Sequence, residues 1–438
     1  MRASIPERVH DWLDRHAAPE GGLALACSGG SDSHALLLMA SAWARSRGRS
    51  LHVFTVDHGL RPEARAEARS VAGRAAELGH AGEVLSWTGP KPDSGVQAAA
   101  RDARHRLLAA ACRKAGLADL MLAHTQDDQT ETVWMRLAAG GGWRGCAGMA
   151  PAGPSPVWPG GRGLRLLRPL LETSRADLRN WLRERGEDWV EDPSNSDRRH
   201  ARIRIREAMG GYRAAGFDPS RFARLAREIR HLVEAEGRAA LNLARGTVVV
   251  HGWGGAELDA PALQAARPAI RRRLLEALML AVSGQERLPG AHAIDRIEGA
   301  LSGRRTATAG GVLLTASGGT AWLVRDPGAV LGRVDRPAPP ALAGDVWDGR
   351  FAIAPLPDGW HAEPLGRSYD GLDCRAILDG VPGIARSGLL ALRRKGEIAA
   401  LPGLTDADRS EVTITPLLEH RFCTRLVPGG APPWFDTK

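Results

Sequence analysis

The sequence predicts an α/β protein that begins with a doubly wound parallel sheet and continues with a helical domain and a smaller C-terminal domain containing strands. Strand-like and helix-like runs alternate from about residue 20 to residue 125, which is typical of a parallel sheet with helical crossovers. Residues 213 to about 300 follow a mainly helical pattern, and short strand-like runs begin after residue 310. We therefore expect domains at 1–212, 213–335 and 336–438.

In the first domain, short apolar runs predict the strands, and longer runs rich in Ala, Leu and Arg predict the helices. The predicted strands cover 23–27, 51–57, 83–87 and 119–124. The predicted helices cover 34–40, 62–78 and 97–115. Pro62 near a first turn and Gly79 directly after a last turn fit the preferences at helix ends. Ligands of such sheets bind beyond the carboxyl ends of the strands, so the polar residues located there are candidates for function.

Further along the chain, helix signals come first and strand signals follow. Ser174 is a candidate N-cap, with Asp177 three residues later. Helical patterns cover 224–245 and 261–282, strand-like patterns cover 311–315 and 320–324, and residues 336–340 are a predicted linker.

The composition indicates a basic protein that uses arginine almost exclusively. The 438 residues carry a net charge of +9, and only four of the 59 basic residues are lysine. Arginine suits bidentate contacts with phosphate and stacking on bases, so the charge favours a polyanionic partner, although a generally basic protein remains the alternative.

Cysteine usage and hydropathy argue against several classes of protein. The chain has no Cys-x-x-Cys pair, which argues against structural zinc, an iron–sulfur cluster and a disulfide framework. The N-terminus lacks the apolar core of a signal peptide, and no apolar stretch approaches the length of a membrane span. We expect a cytoplasmic protein with no membrane partner. The five cysteines are Cys27, Cys112, Cys146, Cys374 and Cys423.

A Ser/Gly-rich loop lies between the first predicted strand and the first predicted helix. The loop consists of Ser28, Gly29, Gly30, Ser31, Asp32 and Ser33. Its glycines allow backbone amides to face an anion at the helix N-terminus, and the Asp32 carboxylate can hold a divalent cation. A lysine does not follow the glycines, so this is not the Gly-x-x-x-x-Gly-Lys-Ser/Thr loop. The loop resembles the pyrophosphate loop (PP-loop) of ATP pyrophosphatases, whose fold is adenine nucleotide α-hydrolase-like. A capped Ser/Gly turn is the alternative.

Two further polar clusters follow predicted strands. Asp57 or His58 could contact ATP from the loop beside the Ser/Gly loop, although the same residues suit a turn that begins a helix. Asp127, Asp128 and Glu131 lie at a predicted helix N-terminus, and the last two share a helical face. Three carboxylates at this position suit Mg²⁺ or an ammonium ligand, whereas the alternative is a helix cap stabilised by the dipole.

A third cluster is basic. An Asp-Pro-Ser-Asn turn at 192–195 precedes a predicted helix on which Arg199, Arg202 and Arg206 share one face. That spacing could bind a backbone of phosphates, and a solvated basic face is the alternative.

The ordered set of motifs resembles one family. The Ser28–Ser33 loop, Asp57-His58-Gly59-Leu60-Arg61, Asp-Asp-Gln-x-Glu-Thr at 127–132, Arg-Pro-Leu-Leu at 168–171 and Asp-x-Ser-Asn-x-Asp at 192–197 occur in the order found in bacterial isoleucine-tRNA lysidine synthases. The resemblance covers residues 20 to 210, and residues 213–330 are similar to the family's helical second domain.

The resemblance implies an ATP-dependent ligation of free L-lysine to carbon 2 of the wobble cytidine in the CAU-anticodon tRNA(Ile), through an adenylated cytidine. It implies that Asp128 and Glu131 hold the lysine ammonium, that Asp127 assists the metal or acts as a base, and that His124 contacts the reacting nucleotide. Arg104, or Arg101 one turn earlier, would steady the adenylate or the α-phosphate. Much of the catalysis would be positioning and charge stabilisation.

The resemblance also implies that Asp32 binds Mg²⁺ and that Arg202 and Arg206, with Arg199 beside them, hold the anticodon loop. Dimers occur in the family, so a homodimer is an open alternative to a monomer. Two positions depart from the family pattern. Thr125 stands where a second histidine is usual, and Ile203 stands where asparagine is usual.

Other functions explain less of the sequence. A tRNA thiolase with the same loop would usually need catalytic or cluster-binding cysteines, and a GMP-type synthetase would usually need a glutaminase module or another ammonia source. A non-catalytic RNA-binding protein would explain the arginines but not the order of the acidic and glycine-rich clusters.

Overall fold

The structure is a computed structural model, and its chain divides into two compact units, Met1–Val233 and Glu234–Lys438. It describes residues 3–191, 204–205, 209, 220–302, 306–332, 342–343, 345–367, 374–405 and 412–428. The three-domain division expected from the sequence stays a prediction.

The first unit alternates strands and helices along the chain. Its helices are α1 Ile5–His16, α2 Ser31–Ser46, α3 Ala64–Glu77, α4 Val96–Lys114, α5 Gln126–Ala138 and α6 Arg175–Arg183, with a 3₁₀ turn at Trp143–Ala147. Its strands are β1 Leu23–Ala26, β2 Leu51–Asp57, β3 Ala81–Ser86, β4 Asp119–Leu122, β5 Ala152–Pro154 and β6 Arg165–Leu167. The long helix α7 Ser220–Thr247 begins in this unit and ends in the second.

The six strands form one sheet in the order β3-β2-β1-β4-β6-β5. All neighbours are parallel except β5, which runs antiparallel to β6 at the edge. The strand order reverses direction at β1, because β2 lies on one side of β1 and β4 on the other. The predicted doubly wound parallel sheet is confirmed, and the carboxyl ends of β1 and β4 meet at the reversal, where such sheets bind ligands.

The residues of β1 explain why helices cover both faces of this sheet. Leu23 and Leu25 pack in one apolar layer with α1, α2, α3 and α6, whereas Ala24 and Ala26 pack in a second layer with α4. Successive side chains of a strand point to opposite faces, so a strand with no polar residue is buried on both. Burying one leucine of this kind contributes about 1.5–3 kcal/mol.

The second unit contains a five-stranded antiparallel sheet in the order β7-β8-β11-β10-β9, formed by Val248–Val250, Ala256–Asp259, Thr320–Arg325, Val312–Ser317 and Ala307–Ala309. Its helices are α8 Ala260–Ala265, α9 Pro268–Ser283, α10 Ala291–Leu301, α11 Pro327–Leu331, α12 Cys374–Ile377, α13 Gly383–Arg386 and α14 Leu418–Leu426. The remaining strands are β12 Leu342–Ala343, β13 Val346–Trp347, β14 Phe351–Ile353, β15 Trp360–Pro364, β16 Leu390–Arg394, β17 Glu397–Ala400 and β18 Ile414–Pro416.

The apolar stripe of α9 explains the main core of this unit. Leu274, Leu278 and Val282 are fully buried against the five-stranded sheet and against α10 and α14. Within the described residues, none of the helices is both long and apolar enough to cross a membrane.

Candidate active site at the carboxyl ends of β1 and β4

The loop after β1 needs glycine at its first turn. Gly29 has φ +83°, and a Cβ atom there would lie 3.0 Å from Val71 Cγ2 and 3.3 Å from Val190 Cγ2. The Gly29 carbonyl also accepts a hydrogen bond of 3.0 Å from the Val190 backbone N–H. A side chain would therefore meet both a strained conformation and close neighbours.

The serines of the same loop fix its shape. Ser33 Oγ accepts a 3.2 Å hydrogen bond from the Ser28 backbone N–H and donates a 3.0 Å hydrogen bond to the Gly30 carbonyl. Helix α2 then begins at Ser31, with Gly30 as its N-cap. The first turn of a helix presents backbone N–H groups that have no acceptor within the helix, so this loop is built to receive an anion.

Arg175, the first residue of α6, contacts three carboxylates of the candidate site. Its Nε donates to Asp32 Oδ2 at 2.9 Å, and its Nη2 donates to Asp128 Oδ1 at 3.2 Å. Its backbone N–H donates to Asp127 Oδ2 at 2.8 Å. The structure therefore brings Asp32 and the acidic start of α5 together, as predicted, and places between them an arginine that the sequence analysis did not assign.

The charges around Arg175 oppose the effect of burial. Burial raises the pKa of the Asp32 carboxyl and the Asp128 charge adds to the rise, while Arg175 lowers it. Burial alone would lower the pKa of Arg175, but Asp128 and Asp32 outweigh burial and raise it. The guanidinium therefore stays charged, and its charge opposes the rise that burial causes in the pKa of Asp32.

Asp128 closes a capping box at the start of α5. Thr125 is the N-cap, and its backbone N–H and its hydroxyl both donate to Asp128 Oδ2, at 2.8 Å and 2.9 Å. Glu131 follows one turn later and is only 1% exposed. The helix-cap interpretation is thus confirmed for Oδ2 of Asp128, and Oδ1 is the oxygen that faces Arg175.

Gln129 ties the same helix to the neighbouring loop, 145–150. Its Nε2 donates to the Met149 carbonyl at 2.9 Å, and its Oε1 accepts from the Met149 N–H at 2.7 Å. Arg136, Arg168 and Arg230 also donate to backbone carbonyls of this loop. The loop therefore fixes the position of the helix that carries the acidic cluster.

A cleft of about 230 Å³ opens beside these groups. It is lined by Ala26, Ser28, Gly30, Ser31, Asp32, Ser33, Arg104, Ala123, His124, Arg175, Arg179, Trp189, Val190 and Glu191. Most of the predicted nucleotide-binding loop thus shares one cavity with His124 and Arg104. Arg179, one turn after Arg175, also lies in the cleft, with its Nε 3.4 Å from Ser31 Oγ and its Nη2 3.3 Å from Glu191.

The loop after β2 plays a more local part in the structure. Asp57 accepts a 2.8 Å hydrogen bond from the Gly59 backbone N–H, as the turn alternative predicts. Burial, and next the charge of Arg104, lowers the pKa of His58, so the imidazole is held neutral beside the cleft. Neither Asp57 nor His58 is among the residues that line the cleft.

The cysteine at the end of β1 is unsuited to nucleophilic chemistry. Cys27 is only 3% exposed, and burial raises the pKa of its thiol. A thiol in such surroundings is a small core residue rather than a reactive thiolate.

The described residues leave the predicted basic cluster untested. Arg199, Arg202 and Arg206 lie outside them, and so does the motif at 192–197. Within the described part of the chain, no group of three or more His, Cys, Asp or Glu side chains is arranged to hold a metal ion. Mg²⁺ does not need such a group, because this ion is usually held by one or two carboxylates together with substrate phosphates and water. The carboxylates predicted to hold it therefore still fit Mg²⁺.

The sheet and its first loop define the chain as a PP-loop protein, and residues 3–211 match the family model of the PP-loop domain. Within the class of PP-loop proteins, comparison with curated proteins indicates one family. The chain is 40% identical over 338 residues to a tRNA(Ile)-lysidine synthase from Methylobacterium nodulans, covering 74% of this chain and 96% of the relative. It is 39% identical over 339 residues to one from a Bradyrhizobium species, covering 74% and 92%. It is 37% identical over 355 residues to one from Caulobacter vibrioides, covering 79% and 78%. The chain belongs to the tRNA(Ile)-lysidine synthase family.

Proposed function

We propose that this enzyme uses ATP to ligate free L-lysine to carbon 2 of the wobble cytidine in the tRNA(Ile) that carries a CAU anticodon. The product, lysidine, pairs with A rather than G, so decoding changes from AUG to AUA. The observation that carries the proposal is that Arg175, which lines the cleft beside the anion-binding loop, contacts both Asp32 of that loop and Asp128 at the start of α5. That combination suits a reaction between a nucleoside triphosphate and an amine.

The reaction proceeds in two steps. In the first, oxygen 2 of the cytidine attacks the α-phosphorus of ATP, the bond between the α-phosphorus and the bridging oxygen breaks, and pyrophosphate leaves. In the second, the lysine ε-amine attacks carbon 2, the carbon–oxygen bond breaks, and AMP leaves. The amine must lose a proton in the second step, and Asp127, at the start of α5, is our candidate for the base if it does not assist the metal.

Most of the groups that would act in the first step line the cleft. The amides and hydroxyls of the Ser28–Ser33 loop would bind the pyrophosphate portion of ATP and stabilise its departure. Arg104 would steady the α-phosphate, and His124 would contact the reacting nucleotide. Asp32, with Asp127 assisting, would hold Mg²⁺, which would neutralise phosphate charge. Asp57 and His58 would contribute to ATP binding from the edge of the site.

Two further sets of residues would bind the other substrates. Asp128 and Glu131 are the candidates for holding the lysine ammonium, because both carboxylates lie at the start of α5. Arg199, Arg202 and Arg206 would bind the phosphates of the anticodon loop. Single-stranded loops allow a base to be splayed out, which the cytidine needs in order to reach the cleft. The reaction would take place in the cytoplasm, and a homodimer remains an alternative to a monomer.

The decisive experiment incubates the purified full chain with ATP, Mg²⁺, lysine and a CAU-anticodon tRNA(Ile) transcript, followed by nuclease digestion and mass spectrometry. We expect the wobble cytidine to gain a lysine moiety only when ATP is present. A methionine tRNA transcript with the same anticodon is the matched control. If tRNA binds but no adduct forms, the proposal is wrong and sulfur donors become the next substrates to test.

The roles of Asp128 and Glu131 have a separate test. Asp128→Asn and Glu131→Gln should each raise the KM for lysine far more than the KM for ATP, because each removes a charge that faces the ammonium. Equal increases in both constants would contradict the assignment of these carboxylates to lysine.

A further inference from the structure

We propose that Arg175 couples the Ser28–Ser33 loop to the acidic start of α5, by holding Asp32 and Asp128 and then passing to the nucleotide phosphates when ATP binds. The transfer frees Asp128 for the ammonium group of lysine, so lysine binds more tightly after the nucleotide. In this role Arg175 is a positioning residue. The identity of the ammonium ligand rests on the proposed function, whereas the ion pairs of Arg175 do not.

The competition at Asp128 is specific to one oxygen. Oδ2 accepts hydrogen bonds from both the backbone N–H and the hydroxyl of Thr125, at 2.8 Å and 2.9 Å. Two donors occupy the two lone-pair directions of that oxygen, so Oδ1 is the atom through which Asp128 can bind an external cation. Arg175 Nη2 lies 3.2 Å from Oδ1. A lysine ammonium and the Arg175 guanidinium therefore compete for the same atom.

At Asp32, Arg175 would compete in a similar way with a bound Mg²⁺ ion. Asp32 Oδ1 accepts a 3.1 Å hydrogen bond from Ser31 Oγ, and Asp32 Oδ2 accepts the 2.9 Å hydrogen bond from Arg175 Nε. A Mg²⁺ ion at Asp32 would displace the guanidinium from Oδ2. The phosphates beside the Ser28–Ser33 loop would at the same time attract it, because guanidinium binds phosphate oxygens strongly and in a fork geometry.

The backbone of Arg175 allows its side chain to move while the residue stays in place. The Arg175 N–H is held by Asp127 Oδ2 at 2.8 Å, at the first position of α6, and Ser174 caps that helix. The Arg175 side chain remains 20% exposed, and it lines the cleft. A change of side-chain rotamer can thus move the charge from the carboxylates to a phosphate without disturbing α6.

The test measures lysine binding to the full chain by isothermal titration calorimetry, with and without Mg²⁺ and α,β-methylene ATP, an analogue that is not cleaved between the α- and β-phosphates. We expect the analogue to tighten lysine binding to the unmodified protein by about tenfold, within the usual range of coupling between sites. Arg175→Gln should reduce this dependence to less than about twofold, and the reciprocal effect of lysine on analogue binding should fall by the same factor.

Arg179→Gln is the matched control. Arg179 lies on the same helix and lines the same cleft, but its described contacts are with Ser31, Trp189 and Glu191 rather than with Asp32 or Asp128. This variant should keep the nucleotide dependence of lysine binding. If Arg175→Gln does not fold, Arg175→Lys replaces it, because a single ammonium does not reproduce the guanidinium fork and should also reduce the coupling.

The outcomes separate this inference from the proposed function. Lysine binding that is equally strong with and without the analogue in the unmodified protein overturns the coupling and leaves the proposed function standing. Coupling that persists in the Arg175 variants assigns it to other residues and also overturns the inference. Lysine that binds in neither state overturns the inference, and the adduct assay on the tRNA transcript then decides the proposed function separately.

Discussion

The contact between Gln129 and Met149 gives a sharp test of how the acidic helix is held. Gln129 is 3% exposed, and its side-chain amide pairs with both the N–H and the carbonyl of Met149. The substitution Gln129→Glu keeps the shape of the side chain but replaces the Nε2 donor with an oxygen. The Met149 carbonyl then faces a second acceptor instead of a donor.

The loss of stability can be estimated from the hydrogen bond that Gln129→Glu removes and from the buried groups that it leaves unpaired. Loss of the hydrogen bond costs about 1 kcal/mol, and leaving the buried groups unsatisfied costs about 1–3 kcal/mol more. We therefore expect a local destabilisation of about 2–4 kcal/mol at pH 8. Burial raises the pKa of the introduced carboxyl above the value of about 4.3 that it has in the unfolded chain. The folded state then binds the extra proton, the O–H donates to Met149, and the penalty becomes smaller as the pH falls toward 5.

Amide hydrogen exchange of peptides from α5 measures this effect without assuming that the whole chain unfolds in one step. A change of 2–4 kcal/mol corresponds to roughly 30- to 1,000-fold faster exchange. Gln264→Glu is the control, because Gln264 Nε2 donates in the same way to the Leu301 carbonyl, at 2.7 Å, in the second unit. If α5 exchanges at the same rate in Gln129→Glu and the unmodified protein, or if the change is equal at pH 5 and pH 8, the reasoning is wrong.

Three further predictions concern the first unit. Asp32→Ala should abolish ATP-dependent activity while circular dichroism shows a folded protein, and near-normal turnover would exclude the loop from the reaction. Gly29→Ala should weaken binding of the ATP analogue at least tenfold. A backbone φ of +83° costs roughly 1–2 kcal/mol for alanine, and the new Cβ would crowd Val71 and Val190. Unchanged affinity for the analogue would contradict that crowding. Burial and neighbouring arginines lower the pKa of His105 from 6.5 to about 4, so its contribution to stability is complete above pH 6.5 and is lost as the pH falls toward 4. Between pH 7 and pH 5, the free energy of unfolding should therefore fall by about 1 kcal/mol more in the unmodified protein than in the His105→Gln variant, after allowance for solvent screening. Identical pH dependence of denaturation in the two proteins would refute this.

The sheet of the first unit could be predicted because its signals are local. The strand expected at 23–27 is observed at Leu23–Ala26, and the one expected at 51–57 is observed at Leu51–Asp57. Short apolar runs between turn residues were sufficient to place them. The helix expected at 62–78 is observed at Ala64–Glu77, so the proline lies just before the helix rather than in its first turn.

The strands β7 and β8 could not be predicted because their stability comes from distant partners. They follow directly after the 28-residue helix α7, and β8 pairs with β11, for example Ala256 with Leu323. No periodicity within residues 248–259 records that pairing. A chain segment that short depends on tertiary context for its secondary structure.

The candidate site shows the same division between local and distant signals. The proximity of the Ser28–Ser33 loop to the start of α5 follows from the strand order, since the carboxyl ends of β1 and β4 are neighbours. Arg175 was missed because its partner Asp32 is 143 positions away and because arginine is abundant throughout the chain. The predicted N-cap at Ser174 placed Arg175 at the first position of a helix, but only the fold shows which carboxylates it meets.

Thr125 and Asp128 show why a helix cap and a ligand site need not be alternatives. Thr125, at the position where the family usually has a second histidine, is fully buried and supplies two donors to Asp128 Oδ2. Those donors fix the carboxylate in one orientation and turn Oδ1 toward the side of Arg175. A carboxylate has two oxygens, so one can complete the capping box while the other is presented to a cation. The cap thus sets the direction in which Asp128 offers its charge, and a flexible carboxylate would have to lose that freedom each time a ligand bound.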